Sequence, residues 1–98
     1  MESGRGFDWD DSKAKSNLAR HRVPFDYATR VFLDPQFVAF DANRERDQEV
    51  RRKAVGVIEG KLFVVVYTER DGVRRIISAR RANAMEQKAY GPIRPRSR

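Results

Sequence analysis

The stretch KLFVVVYTERDGVRRIISAR, residues 61–80, decides the fold. It is unbroken apolar from Leu62 to Tyr67. That run is far too short to cross a bilayer, and it suits a central strand covered on both faces. Arg70-Asp71-Gly72 follows, and Asp-Gly is a strong signal for a tight hairpin turn. Residues 73–80 then alternate, with Arg74, Ile76, Ser78 and Arg80 on one face and Val73, Arg75, Ile77 and Ala79 on the other. Upstream, Glu59-Gly60 is a second hairpin turn. It is preceded by a strand over residues 50–58, with Val55 and Val57 on one face and Ala54 and Gly56 on the other. Residues 42–48 are a polar, charged loop, and residues 37–41 a further strand. The expectation is an antiparallel four-stranded meander.

On the N-terminal side, Phe7 and Trp9 alternate with Gly6, Asp8 and Asp10, which reads as a short opening strand. Asp10 or Asp11 caps a helix over residues 11–21, with Ala14 and Leu18 on one face and Lys13, Asn17 and His21 on the next. Val23-Pro24 breaks it and Pro24 opens a second helix, whose Phe25, Ala28 and Phe32 have the spacing of a buried face. Asp34-Pro35 stops that helix. At the other end, residues 82–90 read as a closing helix ended by Gly91-Pro92. The fold class is α+β: a short N-terminal strand, two helices, the meander and a C-terminal helix. Residues 7–90 are expected to form a single domain, with 1–6 and 91–98 as flexible tails.

The 98 residues carry a net charge of +7, unevenly placed. Residues 1–48 hold 8 Lys and Arg against 9 Asp and Glu; residues 49–98 hold 13 against 5. Arginine dominates, 16 against 5 lysines, and its planar fork grips phosphate with two hydrogen bonds. This asymmetry points to a polyanionic partner, nucleic acid or an acidic protein, over mere solubility. The chain has no cysteine, which excludes disulfides and cysteine-built metal sites and is compatible with a reducing cytosol. Residues 1–6 show no apolar run, so no secretory leader is expected. There is no zinc spacing, no helix-turn-helix signature and no aromatic sheet motif of an RNA-recognition domain.

Three blocks of residues carry a family resemblance. The first is Phe7-Asp8-Trp9-Asp10 with Lys13, Asn17, His21, Val23, Phe25, Ala28, Val31 and Phe32. The second is Glu49-Val50-Arg51 followed by Val55-Gly56. The third is the run Arg75-Ile76-Ile77-Ser78-Ala79-Arg80-Arg81-Ala82, with Glu86 and Tyr90. In this order and spacing the chain resembles the BrnT toxin family. It departs at His21-Arg22-Val23, where the family usually has His-Gly-Val. If residue 22 is left-handed, arginine there costs roughly 1 kcal/mol relative to glycine. The resemblance implies a RelE-like fold with two helices on one face of an antiparallel sheet. It implies a cytoplasmic, metal-independent RNA endonuclease that inhibits translation and growth, and no cofactor. The implied partners are a BrnA-type ribbon-helix-helix antitoxin and RNA, messenger RNA on the ribosome included. DNA is touched only through the antitoxin, and no membrane is involved.

Metal-free RNA cleavage needs a base for the 2′-hydroxyl proton, cations for the phosphorane charge and an acid for the leaving 5′-oxygen. Pairing Ile77 and Ala79 with the helices leaves Ser78 and Arg80 on the open face, where Arg80 clamps phosphate; its alternative is an ion pair with Glu69 or Glu86. Arg51 and Lys53 share a face and either join a cationic floor or blunt a solvated edge strand. His21 is the one histidine, suited to proton transfer or to a structural network with Lys13 and Asn17. Tyr67 and Tyr90 either stack on bases or belong to the core. Glu86 and Tyr90 share a helix face, and Glu86 can orient an arginine of the preceding strand. The catalytic candidates are Arg80, Lys53, His21 and Glu49, and the RNA-binding candidates Arg51, Ser78, Arg81 and Tyr67. The rival functions are a non-catalytic nucleic-acid-binding module and an interaction domain that docks an acidic helix.

Overall fold

The computed structural model describes residues 6–43 and 49–93. The elements are β1 (Phe7–Trp9), α1 (Asp11–His21), α2 (Phe25–Ala28), a 3-10 turn (Thr29–Leu33), β2 (Val38–Asp41), β3 (Arg51–Ile58), β4 (Lys61–Arg70), β5 (Val73–Arg81) and α3 (Ala84–Tyr90). The expected second helix is therefore α-helical for one turn only. The closing helix starts at Ala84, two residues later than expected, with Asn83 as its cap. The expected flexible ends, 1–6 and 91–98, and most of the loop 42–48 fall largely outside the described residues. Among those described, no helix is long and apolar enough to cross a membrane.

The sheet has five strands in the order β1-β5-β4-β3-β2. Strands β2 to β5 pair with their chain neighbours, all antiparallel, and the two Glu-Gly and Asp-Gly turns hold positive φ at both residues. The meander is not the whole sheet, however. The opening strand β1 adds to β5 in parallel, Phe7 opposite Arg74 and Trp9 opposite Ile76, so the sheet is mixed. The long crossover through the helices and β2–β4 makes that pairing possible.

A bulge corrects the facing of β5. Val66 pairs with Ser78 but Tyr67 pairs with Ile76, so Ile77 is an extra residue. Alternation breaks there. Ile76 and Ala79, rather than Ile77 and Ala79, enter the core beneath the helices. Ser78 and Arg80 remain on the other face as expected.

Two cores result, one on each face. Val23, Phe25, Ala28 and Val31 close over Ala54, Phe63, Val65, Tyr67, Ile76 and Ala79. On the other face Val55, Leu62, Val64 and Ala82 form a smaller cluster with Val57 and Tyr90. Gly56 permits the tightest approach, since a Cβ there would lie 2.9 Å from the Val31 carbonyl oxygen. Asn17 replaces a strand where β1 has ended. Its side chain donates to the Ala79 carbonyl (2.8 Å) and accepts from the Ala79 N–H (3.1 Å), and it also donates to the Val23 carbonyl. The buried backbone of β5 is thereby satisfied without another strand.

α1 starts on Asp10, whose carboxylate accepts from the N–H groups of Ser12 and Lys13, and ends on Arg22 at φ 62° and ψ 28°. This is the left-handed cap that favours glycine. Arg22→Gly is therefore expected to stabilise the protein by about 1 kcal/mol. Urea unfolding at constant m-value measures it, and an unchanged or lower midpoint would show that the arginine is not strained.

Candidate functional site

Even-numbered residues of β3, from Arg52 to Ile58, face α1 and α2; odd-numbered ones face the other way. Arg51 and Lys53 thus project from the face that bears α3. The register carries this across the sheet: Phe40, Lys53, Val66 and Ser78 share one row, and Val55, Val64 and Arg80 the next. The second of these rows lies under the small apolar core beside α3, and Phe40 of the first packs at its edge. The members of the row with Lys53 are all half-buried.

The two rows meet at Glu86, in the first turn of α3. Arg80 forks onto both of its oxygens, Nη1 to Oε1 at 2.9 Å and Nη2 to Oε2 at 2.8 Å, while Lys53 Nζ reaches Oε2 at 2.9 Å. The carboxylate also accepts from the Asn83 N–H, and Asn83 in return accepts from the Glu86 N–H. This capping box fixes the side chain from its own helix. Glu86 is 3% exposed, whereas the side chains of Lys53 and Arg80 remain about 30% exposed. The anion is buried and the cations face solvent.

Burial pushes the Glu86 carboxyl up, but hydrogen bonds from Arg80, the Asn83 backbone and Lys53 outweigh it and hold the pKa at about 2. The same bond raises Arg80, against some opposing desolvation. A second buried carboxylate, Asp34, anchors the far end of α3. It accepts from the Tyr90 hydroxyl (2.7 Å) and from the N–H groups of Val57 and Gln36. Burial and this bond push the Tyr90 hydroxyl up to about 12.

The remaining candidates are distributed as follows. Ser78 lies beside Lys53 across Val66. Glu49 pairs with Arg70 at the opposite end of the strands from Glu86. His21 ends α1, in the layer over the other face of the sheet, and no bond among the described residues joins it to the Glu86 cluster. Arg81 also faces that way, its guanidinium 5.5 Å from the Phe63 ring centre. Tyr67 cannot serve as a stacking platform: it is 2% exposed and edge-on to Phe32, because β4 is apolar on both faces and this one is closed by helices. Tyr90 likewise belongs to the α3 anchor. Four other arginines have partners of their own: Arg52 with Asp41, Arg70 with Glu49, Arg74 near Glu69 and Arg75 with Asp8. Lys53 and Arg80 differ in sharing one carboxylate. Sequence reasoning missed that sharing, and it put Arg75 on the face with Ala79, because the true facing of Arg75 depends on the bulge. Among the described residues no three His, Asp or Glu side chains cluster as metal ligands would.

Glu86 has its folded pKa below the unfolded value near 4.5, so its stabilisation is present above pH 4.5 and lost as pH falls through about 2. The shift corresponds to about 3 kcal/mol. The stability gap between the wild type and Glu86→Gln is therefore expected to be about that size at pH 7 and to shrink between pH 5 and 2. Denaturant titrations across this range test it; a gap independent of pH would mean that the carboxylate is not held ionised by these bonds.

The arrangement offers two solvent-facing cations on a rigid sheet, locked in position from behind by a buried anion. That suits binding of a phosphate group. No curated protein matches the chain. A family model described as "Ribonuclease toxin, BrnT, of type II toxin-antitoxin system" matches residues 9–86 and so includes every member of the Lys53, Arg80 and Glu86 cluster. With most of its length matched, the chain belongs to the BrnT family and is a ribonuclease toxin of a type II toxin–antitoxin system.

Proposed function

We propose that this toxin is a metal-independent endoribonuclease whose Lys53 and Arg80 hold the scissile phosphate. The observation that carries the reading is the convergence of these two cations on the single buried carboxylate of Glu86. In the reaction the 2′-oxygen bonds to phosphorus as its proton leaves, and the bond to the 5′-oxygen breaks as that oxygen gains a proton. Negative charge grows on the non-bridging oxygens between these events. Lys53 and Arg80 stabilise it, and because Glu86 has fixed them beforehand little reorganisation is needed. Glu86 itself is a positioning residue. Ser78 and Arg51, on the same face, are RNA contacts.

Residues 7–90 act as one RelE-like domain: helices on one sheet face, the catalytic cations on the other. The wider biology we propose is cytoplasmic. Cleavage of RNA, messenger RNA on the ribosome included, arrests translation and growth. A BrnA-type ribbon-helix-helix antitoxin neutralises the toxin and carries the complex to DNA.

Arg80→Ala and Lys53→Ala should each slow cleavage of an oligoribonucleotide by about 100- to 1,000-fold and relieve growth arrest. Arg80→Lys keeps a counter-charge on Glu86 and separates loss of the fork from loss of the fold, which circular dichroism monitors. A substrate with a single 2′-deoxy nucleotide at the cleaved position should resist, and products should end in a 2′,3′-cyclic phosphate. Cleavage of the deoxy substrate, or full activity in all three variants, rejects the mechanism. RNA binding without any cleavage would favour a non-catalytic binding module.

A further inference from the structure

One row further from α3, the same sheet face carries Arg51 on β3 and Arg75 on β5, in register on either side of the buried Thr68 of β4. Arg75 is there only because the bulge at Ile77 reverses the facing of β5. Without it, Arg75 would lie beside Ala79 on the helical side. Arg51 stands two residues from Lys53 on one strand, so their rows are about 7 Å apart, and Arg80 lies one row beyond Lys53. The row that holds Lys53 is floored by Phe40 and Val66, both half-buried and apolar. Lys53 lies 5.9 Å from the Phe40 ring centre, at the margin of this floor.

Arg51 with Arg75, then Lys53 beside the apolar Phe40 and Val66, then Arg80 follow one another along the strand direction, a succession that matches a chain of phosphates with unstacked bases laid between them. Rigid duplex RNA would bring its backbone to the face but could not lay a base or ribose on Phe40 and Val66. Asp8, opposite Arg75 on β1, forms an ion pair with it at 3.2 Å, with both side chains nearly half exposed. An exposed pair of this kind is weak and can yield to a phosphate.

We propose that Arg51 and Arg75 form a second phosphate subsite, which seats the phosphodiester adjacent to the scissile one in single-stranded RNA. The proposal rests on the reading that Lys53 and Arg80 hold the scissile phosphate. It assigns a direction to the substrate, along β3 and β5 away from α3. It also makes Asp8 a competitor for the subsite, one that weakens RNA binding by occupying Arg75.

The test couples single cations to single phosphates. The probe is a 2′-O-methyl hexanucleotide, which cannot be cleaved, with one linkage at a time made neutral as a methylphosphonate. The linkages are the scissile one, mapped beforehand on the unmodified RNA, and its two neighbours. In the wild-type toxin, neutralising one particular neighbour should weaken binding about tenfold. Arg75→Gln and Arg51→Gln should each weaken binding to the fully charged probe and reduce the salt slope by about 0.7. In both variants, neutralising that neighbour should then cost little more. Strictly additive losses at both neighbours overturn the proposal. Asp8→Asn should bind the charged probe as tightly as the wild type or more tightly; a loss equal to that of Arg75→Gln would show that the pair acts through the placement of β1, and the subsite would fail. Arg80→Lys should couple to the scissile linkage. If it does not, the catalytic reading fails, and the Arg75 coupling still reports separately on the second row.

Discussion

The carboxylate of Glu86 is the group on which the arrangement of this protein turns. It caps α3, and it bonds to Arg80 of β5 and Lys53 of β3, two strands separated by β4. A helix of seven residues has no stability of its own. Nor does α3 bring much apolar surface, for Met85 is 79% exposed and only Tyr90 joins the underlying core. Its attachment is instead polar at both ends, Glu86 in the first turn and Tyr90 on Asp34 in the last. Burying a carboxylate without partners costs several kcal/mol, so loss of either cation would leave the anion inadequately matched. The cations need the anion for position, and the anion needs them to be buried at all.

The two faces of the sheet divide the work. Beneath α1 and α2 the face is closed, and aromatic rings from β1, the helices and β4 meet there edge to face. On the opposite face the fully buried apolar residues of β3 and β4 stop at Val55 and Val64, and half-buried Val66 follows. Beyond that line β3 turns to Lys53 and Arg51, and β5 to Ser78 and Arg75. Charge appears where cover ends. A flat surface of strands supplies cations with spacings set by the pleat, which flexible loops would not do.

Much of this was legible from the chain. The Asp-Gly and Glu-Gly turns fixed the hairpins, and alternation along residues 50–58 correctly put Arg51 and Lys53 on one face with Val55. The pairing of an arginine with Glu86 was also readable, as one alternative for Arg80. Other features were hidden for physical reasons. A bulge is decided by how two ladders mesh, and nothing in Arg75-Ile76-Ile77-Ser78 announces one. Tyr67 lies on a strand apolar on both sides, so composition could not say which side was sealed. The parallel addition of β1 joins residues 67 positions apart. The convergence of Lys53 on Glu86 needs the register of three strands and the cap of a helix at once.

Net charge alone describes the site poorly. The second half of the chain is strongly basic, yet Arg52, Arg70, Arg74 and Arg75 each have a carboxylate nearby. What distinguishes Lys53 and Arg80 is that two positive charges answer one negative charge, and that the negative charge is behind them, away from solvent. A phosphate approaching from solvent meets the excess. The same geometry limits what Glu86 can do. With its pKa at about 2, it remains ionised wherever RNA is cleaved near neutral pH, so it has no proton to give, and a carboxylate so strongly stabilised is a poor acceptor of one. In the proposed mechanism its contribution is therefore electrostatic preorganisation, exerted through Lys53 and Arg80, and the proton transfers at the 2′- and 5′-oxygens fall to other groups.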